Sequence, residues 1–199
     1  MQIPQVKETD IIYINYFDVI DMPRVNALMG FCANLINQYK PKKMYFLFSS
    51  PGGNVSAGIT FYNFLKALPV EIIMHNNGSI DSIANIVFMS AKTENRLASP
   101  HSSFLFHGVA LNLPQTQLNL GKIEELVSGL KKDEEKISGI ICDNTKMSKE
   151  EIHNLFLRGE VKDLEFALAK GIINEIKQSV IPDNKLFINI SIQINNNPV

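Results

Sequence analysis

Residues 44–54 read MYFLFSSPGGN, an apolar and aromatic run that ends in two serines, a proline and paired glycines. The apolar run predicts a buried strand, and residues 56–67 after it have the pattern of a helix. Paired glycines at a strand end let the backbone approach a ligand closely and turn its N–H groups towards it. The stretch therefore predicts a strand–turn–helix unit whose turn can bind an oxygen atom, or else is an ordinary turn.

The same alternation continues on both sides of this stretch. Strands are predicted at residues 11–14, 70–75 and 103–106, and an amphipathic helix at residues 22–39. Such alternation favours a parallel sheet with helices packed on it, which is an α/β fold of repeated βα units. A chain of 199 residues is long enough for one domain with a sizeable core, so we expect a single domain over residues 1–199.

Two side chains in this framework have the chemistry of a nucleophile and its base. Ser82 follows a predicted glycine turn at Gly78 and opens an apolar helical run, while His107 stands at the end of the strand at residues 103–106. A serine hydroxyl becomes a nucleophile when a nearby base takes its proton, and histidine is the usual base. The alternative is that Ser82 only caps a helix and His107 is a polar strand end.

The order of these motifs resembles the proteolytic subunit of the ATP-dependent Clp protease, in the crotonase-like superfamily, from about residue 11 to 176. Residues 50–53 resemble its Ser-Pro-Gly-Gly oxyanion loop, and Gly78 with Ser82 resembles its Gly-x-x-x-Ser nucleophile turn. Residues 98–102, ahead of His107, resemble the segment before the catalytic histidine of that family. Residues 167–173 resemble its closing Ala-x-x-x-Gly-Leu-Ile motif.

The resemblance implies a role for each matched residue. Ser82 would be the nucleophile, His107 the general base, and the N–H groups of Gly53 and Ile83 the oxyanion donors. It implies no metal and no organic cofactor. It also implies stacked rings of identical subunits, unfolded polypeptide substrates and an AAA+ unfoldase that feeds them in, since this chain has no phosphate-binding Gly-x-x-x-x-Gly-Lys-Ser/Thr loop of its own.

The third member of the catalytic triad is where the chain departs from this family. Counting back from Gly171, the position of the family's aspartate holds Gly159. Glu160 is adjacent and is the possible third triad member, with Asp163 a further acid nearby. Asp81, directly before the nucleophile, is a second departure, because the family usually has a small residue there. Loss of the orienting acid costs orders of magnitude in turnover but leaves some activity.

Two further segments bear on assembly. Residues 115–142 have a helical pattern rich in charge, and the resemblance makes this region a handle helix between stacked rings; the alternative is a helix packed on its own domain. Residues 186–195 alternate apolar and polar side chains, which predicts an extra half-buried C-terminal strand. That strand would pair with an edge of its own subunit or of a neighbour.

Composition excludes several classes of partner. A net charge of −1 gives no electrostatic reason to expect nucleic acid or an anionic membrane. No apolar run approaches the ~20 residues that cross a bilayer, and the N-terminal residues lack a signal pattern. The two cysteines have no metal-like spacing and suit a reducing compartment. We therefore expect a cytoplasmic protein.

The sequence thus predicts a serine-type endopeptidase subunit of a ring-shaped, ATP-dependent protease. Two alternatives remain. One is an acyl-CoA-handling enzyme of the crotonase-like superfamily, against which the Ser82 turn and His107 argue. The other is a non-catalytic ring subunit, which Gly159 at the acid position favours.

Overall fold

Strands and helices alternate along the computed structural model, which describes residues 10–111 and 117–190. The strands are β1 (Ile11–Phe17), β2 (Lys43–Ser50), β3 (Glu71–Asp81), β4 (Arg96–Ala98), β5 (Ser103–Phe106), β6 (Glu160–Lys162), β7 (Glu175–Ile176) and β8 (Leu186–Ile190). The α-helices are α1 (Met22–Tyr39), α2 (Val55–Ala67), α3 (Ala84–Phe88), α4 (Leu120–Asn144), α5 (Lys149–Arg158) and α6 (Leu164–Ala169). A short 3₁₀ turn at Thr93–Asn95 precedes β4.

The strands form one sheet in the spatial order β6-β5-β3-β2-β1-β8, with β4 paired to both β3 and β7. Neighbouring strands run parallel, apart from the antiparallel pair of β5 and β6. Helical connections between parallel strands place helices against the sheet. The α/β class predicted from the alternation is confirmed.

The predicted first helix shows why the sequence folds as it does. The Asp21 side chain accepts a hydrogen bond from Arg24 N at 2.9 Å, and Pro23 occupies the first turn, where a missing N–H costs nothing. Val25, Leu28, Cys32 and Leu35 recur at helical spacing and are buried. Burying each such side chain contributes about 1.5–3 kcal/mol, so the apolar face of α1 fixes the helix on the sheet.

The prediction for β3 was wrong at its C-terminal end. The predicted strand ends at His75, with a glycine turn at Gly78, but β3 continues to Asp81. The register between β2 and β3 shifts after Phe48, and Ser49 Oγ fills the gap: it accepts from Ser79 N at 3.1 Å and donates to Ser79 O at 2.9 Å. A Cβ at Gly78 would lie 3.0 Å from Ser49 Oγ, so Gly78 makes room for that serine.

Helix α4 starts at Leu120, where the Asn119 side chain accepts from Lys122 N at 2.8 Å. Of the predicted helix at 115–142, residues 115 and 116 lie outside the described residues, and the prediction was wrong for residues 117–119, which precede the helix. Leu120, Ile123 and Val127 form an exposed apolar stripe on the first half of α4, whereas Ile137 and Ile141 are buried against the domain.

Strand β8 pairs in parallel with β1 of the same chain, with Ile12 opposite Leu186 and Tyr16 opposite Ile190. Leu186, Ile188 and Ile190 are half-buried and pack on the core, while the residues between them are exposed. Residues 191–195 of the predicted strand lie outside the described residues. The edge of β1 is therefore covered by its own chain over the length of β8.

Of the helices in residues 10–111 and 117–190, none combines the length and the apolar character needed to span a membrane.

Candidate active site

Ser82 stands at a sharp bend between β3 and α3. Its φ of +56° lies in the left-handed region, which a non-glycine residue rarely adopts. The Ser82 N–H donates to Leu105 O at 2.9 Å, so the bend is tied to β5. The cap residue of α3 is Ile83, without a side-chain hydrogen bond, and so the helix-cap alternative for Ser82 is not supported. A strained serine between strand and helix is the arrangement that exposes a nucleophilic hydroxyl.

A buried amide holds this bend in place. The side chain of Asn85, only 1% exposed, donates to Ser82 O at 3.0 Å and to Leu105 O at 2.8 Å. It therefore joins the nucleophile turn to the strand that ends beside His107. The role of Asn85 was not predicted from the sequence, although a lone amide inside an apolar run is a signal, because a buried amide needs hydrogen-bond partners.

The Pro-Gly-Gly loop packs directly on this bend. A Cβ at Gly52 would lie 2.7 Å from the Ser82 Cβ, so only glycine permits this approach. The loop is fixed from the other side, since Ile20 N donates to Gly52 O at 2.8 Å and Asn54 N donates to Ile20 O at 2.7 Å. Within the described ranges, the N–H groups of Gly53 and Ile83 donate no hydrogen bond. Both remain available to a ligand oxygen.

A pocket of about 220 Å³ contains Ser82, His107, Gly53 and Ile83 together. The other lining residues are apolar and come from the Pro-Gly-Gly loop, the start of α2, the end of β5 and the segment after it, α4 and α5: Pro51, Val55, Phe106, Val109, Ala110, Ile137, Ile141 and Phe156. Clefts that hold drug-sized ligands have roughly 300–1,000 Å³. The volume suits a single side chain better than an acyl-CoA, which disfavours the acyl-CoA alternative.

The hydrogen bond of His107 determines its tautomer. Nδ1 lies 2.7 Å from Gly108 O, and a carbonyl oxygen can only accept, so Nδ1 carries the proton. In the neutral ring Nε2 then has the free lone pair that a general base needs. No hydrogen bond joins His107 and Ser82 in the described part of the chain; such contacts are often long in ligand-free sites and shorten when substrate binds.

Glu160, the possible third triad member, is engaged elsewhere. Its carboxylate accepts from Lys162 Nζ and, at 3.3 Å, from Arg158 Nη1. The Lys162 ammonium lowers the pKa of Glu160 below its ordinary value, with Arg158 adding to the effect. Between Glu160 and His107 the described residues show no hydrogen bond. The role of Glu160 stays a prediction that these contacts do not favour.

The alternation of side chains along a strand explains why Glu160 points away from His107. Glu160 is opposite Phe106 in the antiparallel β5–β6 pair, so the next pair along brings residue 159 opposite His107 on the same face. A Cβ at Gly159 would lie 3.9 Å from the His107 Cβ. The position that faces the histidine is therefore Gly159, while Glu160 belongs to the other face.

Asp81 is the acid nearest to the nucleophile in sequence. Burial raises the pKa of its carboxyl, while a hydrogen bond from Ser79 Oγ at 3.2 Å and the charge of His107 lower that pKa. Asp81 is opposite Leu105 in the parallel β3–β5 pair, so it shares a face with His107. It is close enough to influence the histidine electrostatically, without a hydrogen bond to it among the described residues.

In residues 10–111 and 117–190, no group of three His, Cys, Asp or Glu side chains is arranged to hold a metal ion.

Comparison with known proteins assigns the family. The family model described as Clp protease matches residues 9–180, which is most of the chain. The chain belongs to the Clp protease family. The ATP-dependent Clp protease proteolytic subunit of Lactococcus lactis subsp. cremoris is 29% identical over 161 residues, covering 77% of each chain. Proteolytic subunit 2 from Pseudomonas aeruginosa is 25% identical over 133 residues, covering 67% of this chain and 65% of its own length.

A solved structure has the same fold as this family member. A ClpP1 mutant from Listeria monocytogenes superimposes with a TM-score of 0.72 over 85% of this chain and 92% of its own, at 22% identity. The crotonase-like, ClpP-like fold is thereby confirmed.

Proposed function

We propose that this chain is a serine-type endopeptidase subunit of a ring-shaped, ATP-dependent protease that hydrolyses peptide bonds in unfolded proteins. The observation that carries the proposal is the pocket shared by Ser82, at φ +56°, and His107, with the unpartnered N–H groups of Gly53 and Ile83. A nucleophile, a base in the correct tautomer and two free donors are the parts that acyl transfer requires.

The reaction follows from these parts. Ser82 Oγ attacks the peptide carbonyl while His107 Nε2 takes the hydroxyl proton. The N–H groups of Gly53 and Ile83 stabilise the negative charge on the former carbonyl oxygen. His107 then gives its proton to the leaving amine, which breaks the C–N bond and leaves an acyl-serine. A water molecule, deprotonated in turn by His107, hydrolyses that ester and restores Ser82.

The lining of the pocket favours apolar substrate side chains. Phe106, Ile137, Ile141 and Phe156 supply apolar surface beside the nucleophile. Burying an apolar side chain there yields binding free energy, whereas a charged one loses its hydration without a partner. Peptides with an apolar residue before the cleaved bond are the substrates that fit best.

Assembly and partners are proposed from the family and from one surface. The relatives named above are proteolytic subunits of an ATP-dependent protease, and this ATP dependence supports a partner AAA+ unfoldase. Stacked homo-oligomeric rings and a cytoplasmic location are proposed from the family resemblance. Leu120, Ile123 and Val127 leave an apolar stripe exposed on α4. A second copy of the chain would cover it, which is the handle role proposed for α4.

Covalent labelling of the serine tests the proposal. We expect a fluorophosphonate probe to modify Ser82, and Ser82→Ala or His107→Ala to abolish hydrolysis of an unstructured peptide. Neither substitution empties much core volume, so the free energy of unfolding should change by less than about 1–2 kcal/mol. Ser56→Ala is the matched control, because this exposed serine follows the same glycine loop.

Modification of a different serine, or full hydrolysis by Ser82→Ala, would contradict the mechanism. An intact ring that no probe labels would instead favour the non-catalytic ring subunit, the alternative for which Gly159 is the specific observation.

A further inference from the structure

One peptide group connects His107 to the carboxylate of Glu134 by hydrogen bonds. His107 Nδ1 donates to Gly108 O at 2.7 Å, and the N–H of the same peptide unit, that of Val109, donates to Glu134 Oε1 at 3.3 Å. The chain of groups is therefore imidazole, peptide, carboxylate. Glu134 comes from α4, far along the sequence from the strand that carries His107.

We propose that Glu134 is the positioning acid of this active site and acts on His107 through the Gly108–Val109 peptide. The inference deepens the proposed function and rests on it. Glu134 would thereby take over the task left vacant by Gly159: it holds the Nδ1–H tautomer and stabilises the imidazolium that forms when His107 takes the serine proton.

The physical basis is polarisation of the peptide. A carboxylate that accepts from Val109 N–H draws the amide proton towards itself and increases the negative charge on Gly108 O. Hydrogen bonds in such chains strengthen one another. The carbonyl then becomes a better acceptor for Nδ1–H, and the negative charge favours the charged form of the ring. No cation within the described residues forms an ion pair with Glu134, so its charge is not neutralised by a direct partner.

The surrounding backbone is shaped for this contact. A Cβ at Gly108 would lie only 2.9 Å from Glu134 Oε1, so the absence of a side chain at Gly108 gives the carboxylate its place. The Gly108 N–H donates to Phe156 O at 3.1 Å, which anchors the segment to α5. The peptide that links His107 and Glu134 is therefore held by contacts on both helices.

Other charged groups lie near the relay, by which we mean the connection from His107 through the Gly108–Val109 peptide to Glu134. They contribute to the pH dependence of the reaction. From β3, Asp81 shares a face with His107, whereas Glu160 lies on the other face of β6, paired with Lys162 and Arg158. Lys131, Lys149 and His153 line the same surface depression as Glu134. Asp81 is the strongest competitor for the role, because it is partly buried and lacks a cation partner among the described residues.

The test measures the rate at which a fluorophosphonate labels Ser82 as a function of pH. Glu134→Gln keeps an amide oxygen that can accept from Val109 N–H but removes the charge. We expect labelling to slow several-fold and the acidic limb of the pH profile to move to lower pH, because the imidazolium loses its stabilising charge. Glu134→Asp, which keeps the charge on a shorter side chain, should recover part of the rate.

Glu135→Gln is the matched control, since it neutralises the next residue, an exposed partner of Lys132, and should reproduce the wild-type profile. A wild-type rate and acidic limb in Glu134→Gln would overturn the inference. So would an acidic limb that moves in Asp81→Asn but not in Glu134→Gln, which would assign the role to Asp81.

A second readout does not depend on Ser82 chemistry. In the Ser82→Ala protein, the His107 ring can be titrated by NMR of ¹³C-labelled histidines and identified by its loss in His107→Ala. Adding Glu134→Gln should lower the pH midpoint of the His107 ring. If the wild type is not labelled at Ser82, the proposed function fails; if the midpoint of the ring does not respond to Glu134→Gln, the relay fails.

Discussion

Opposite His107 lies Gly159, the cap residue at the end of α5, which has no side chain. Gly159 faces His107, and we expect Gly159→Asp to increase hydrolysis, because the Cβ of the new side chain would lie 3.9 Å from the His107 Cβ and would bring a carboxylate to this side of the histidine. Gly159 has φ +62°, which costs a non-glycine residue about 1–2 kcal/mol, although aspartate tolerates it better than most. Peptidase rates and thermal unfolding of the purified protein measure both effects.

Gly159→Asn is the control for this substitution, because it carries the same backbone cost without the charge. Equal rates for the two variants would show that a charge at position 159 does not help His107.

Glu160 gives the complementary prediction. Because its carboxylate pairs with Lys162 and Arg158 on the other face of β6, Glu160→Gln should leave kcat and KM close to wild type. A large drop in kcat alone would restore Glu160 as the third triad member and show that its side chain reorients when substrate binds.

Positions 159 and 134 show which parts of the active site could be predicted from the sequence and which could not. Position 159 was found by counting along the chain, because strands and short loops keep their length. The contact between Val109 N–H and Glu134 could not be predicted from the sequence, because the two residues are 25 positions apart and the contact involves a backbone N–H. Periodicity predicts which face a side chain occupies, but not which distant helix supplies its partner.

Among the elements, β3 contains a buried histidine whose partners come from other parts of the chain. His75 is fully buried; Tyr45 Oη lies 2.5 Å from Nδ1, and Lys177 O lies 3.0 Å from Nε2. The ring thus connects β2 and the segment after β7 to β3. The sequence does not predict this network, because the partners of His75 are distant along the chain.

The same network predicts a pH dependence of stability. Burial lowers the pKa of His75 below 6.5, so the unfolded chain binds a proton that the folded protein excludes. The free energy of unfolding should therefore fall as the pH drops below about 6.5, the ordinary value for histidine. Chemical denaturation from pH 7.5 to 5 measures the slope, and His75→Gln should flatten it. His101→Gln, an exposed site, is the control, and an equal slope in His75→Gln would contradict the assignment.

For the whole molecule, the apolar stripe on α4 predicts how the proposed ring assembly dissociates. Ile123 and Val127 are 44% and 43% exposed in the isolated subunit, so replacing both with Glu removes little intrachain packing. Such surface changes usually alter the free energy of unfolding by less than about 0.5 kcal/mol each. We expect the double variant to split the rings while the subunit stays folded, as measured by native mass spectrometry and circular dichroism.

Ser128→Glu, an exposed position on the same turn, adds charge without removing apolar surface and should leave the particle intact. A wild-type protein that is monomeric, or a double variant that remains assembled, would contradict a role of this stripe in assembly.

The pairing of β8 with β1 has a consequence for synthesis on the ribosome. Asn15 and Asn189, hydrogen-bonded neighbours in the finished sheet, are 174 residues apart. At a translation speed of about 5–20 residues per second, β1 emerges roughly 9–35 seconds before its outer partner exists. Throughout that interval the nascent chain presents an unpaired strand edge, to which other chains can add. The yield of folding in the cell should therefore depend on whether β1 is protected from other chains until β8 has left the ribosome.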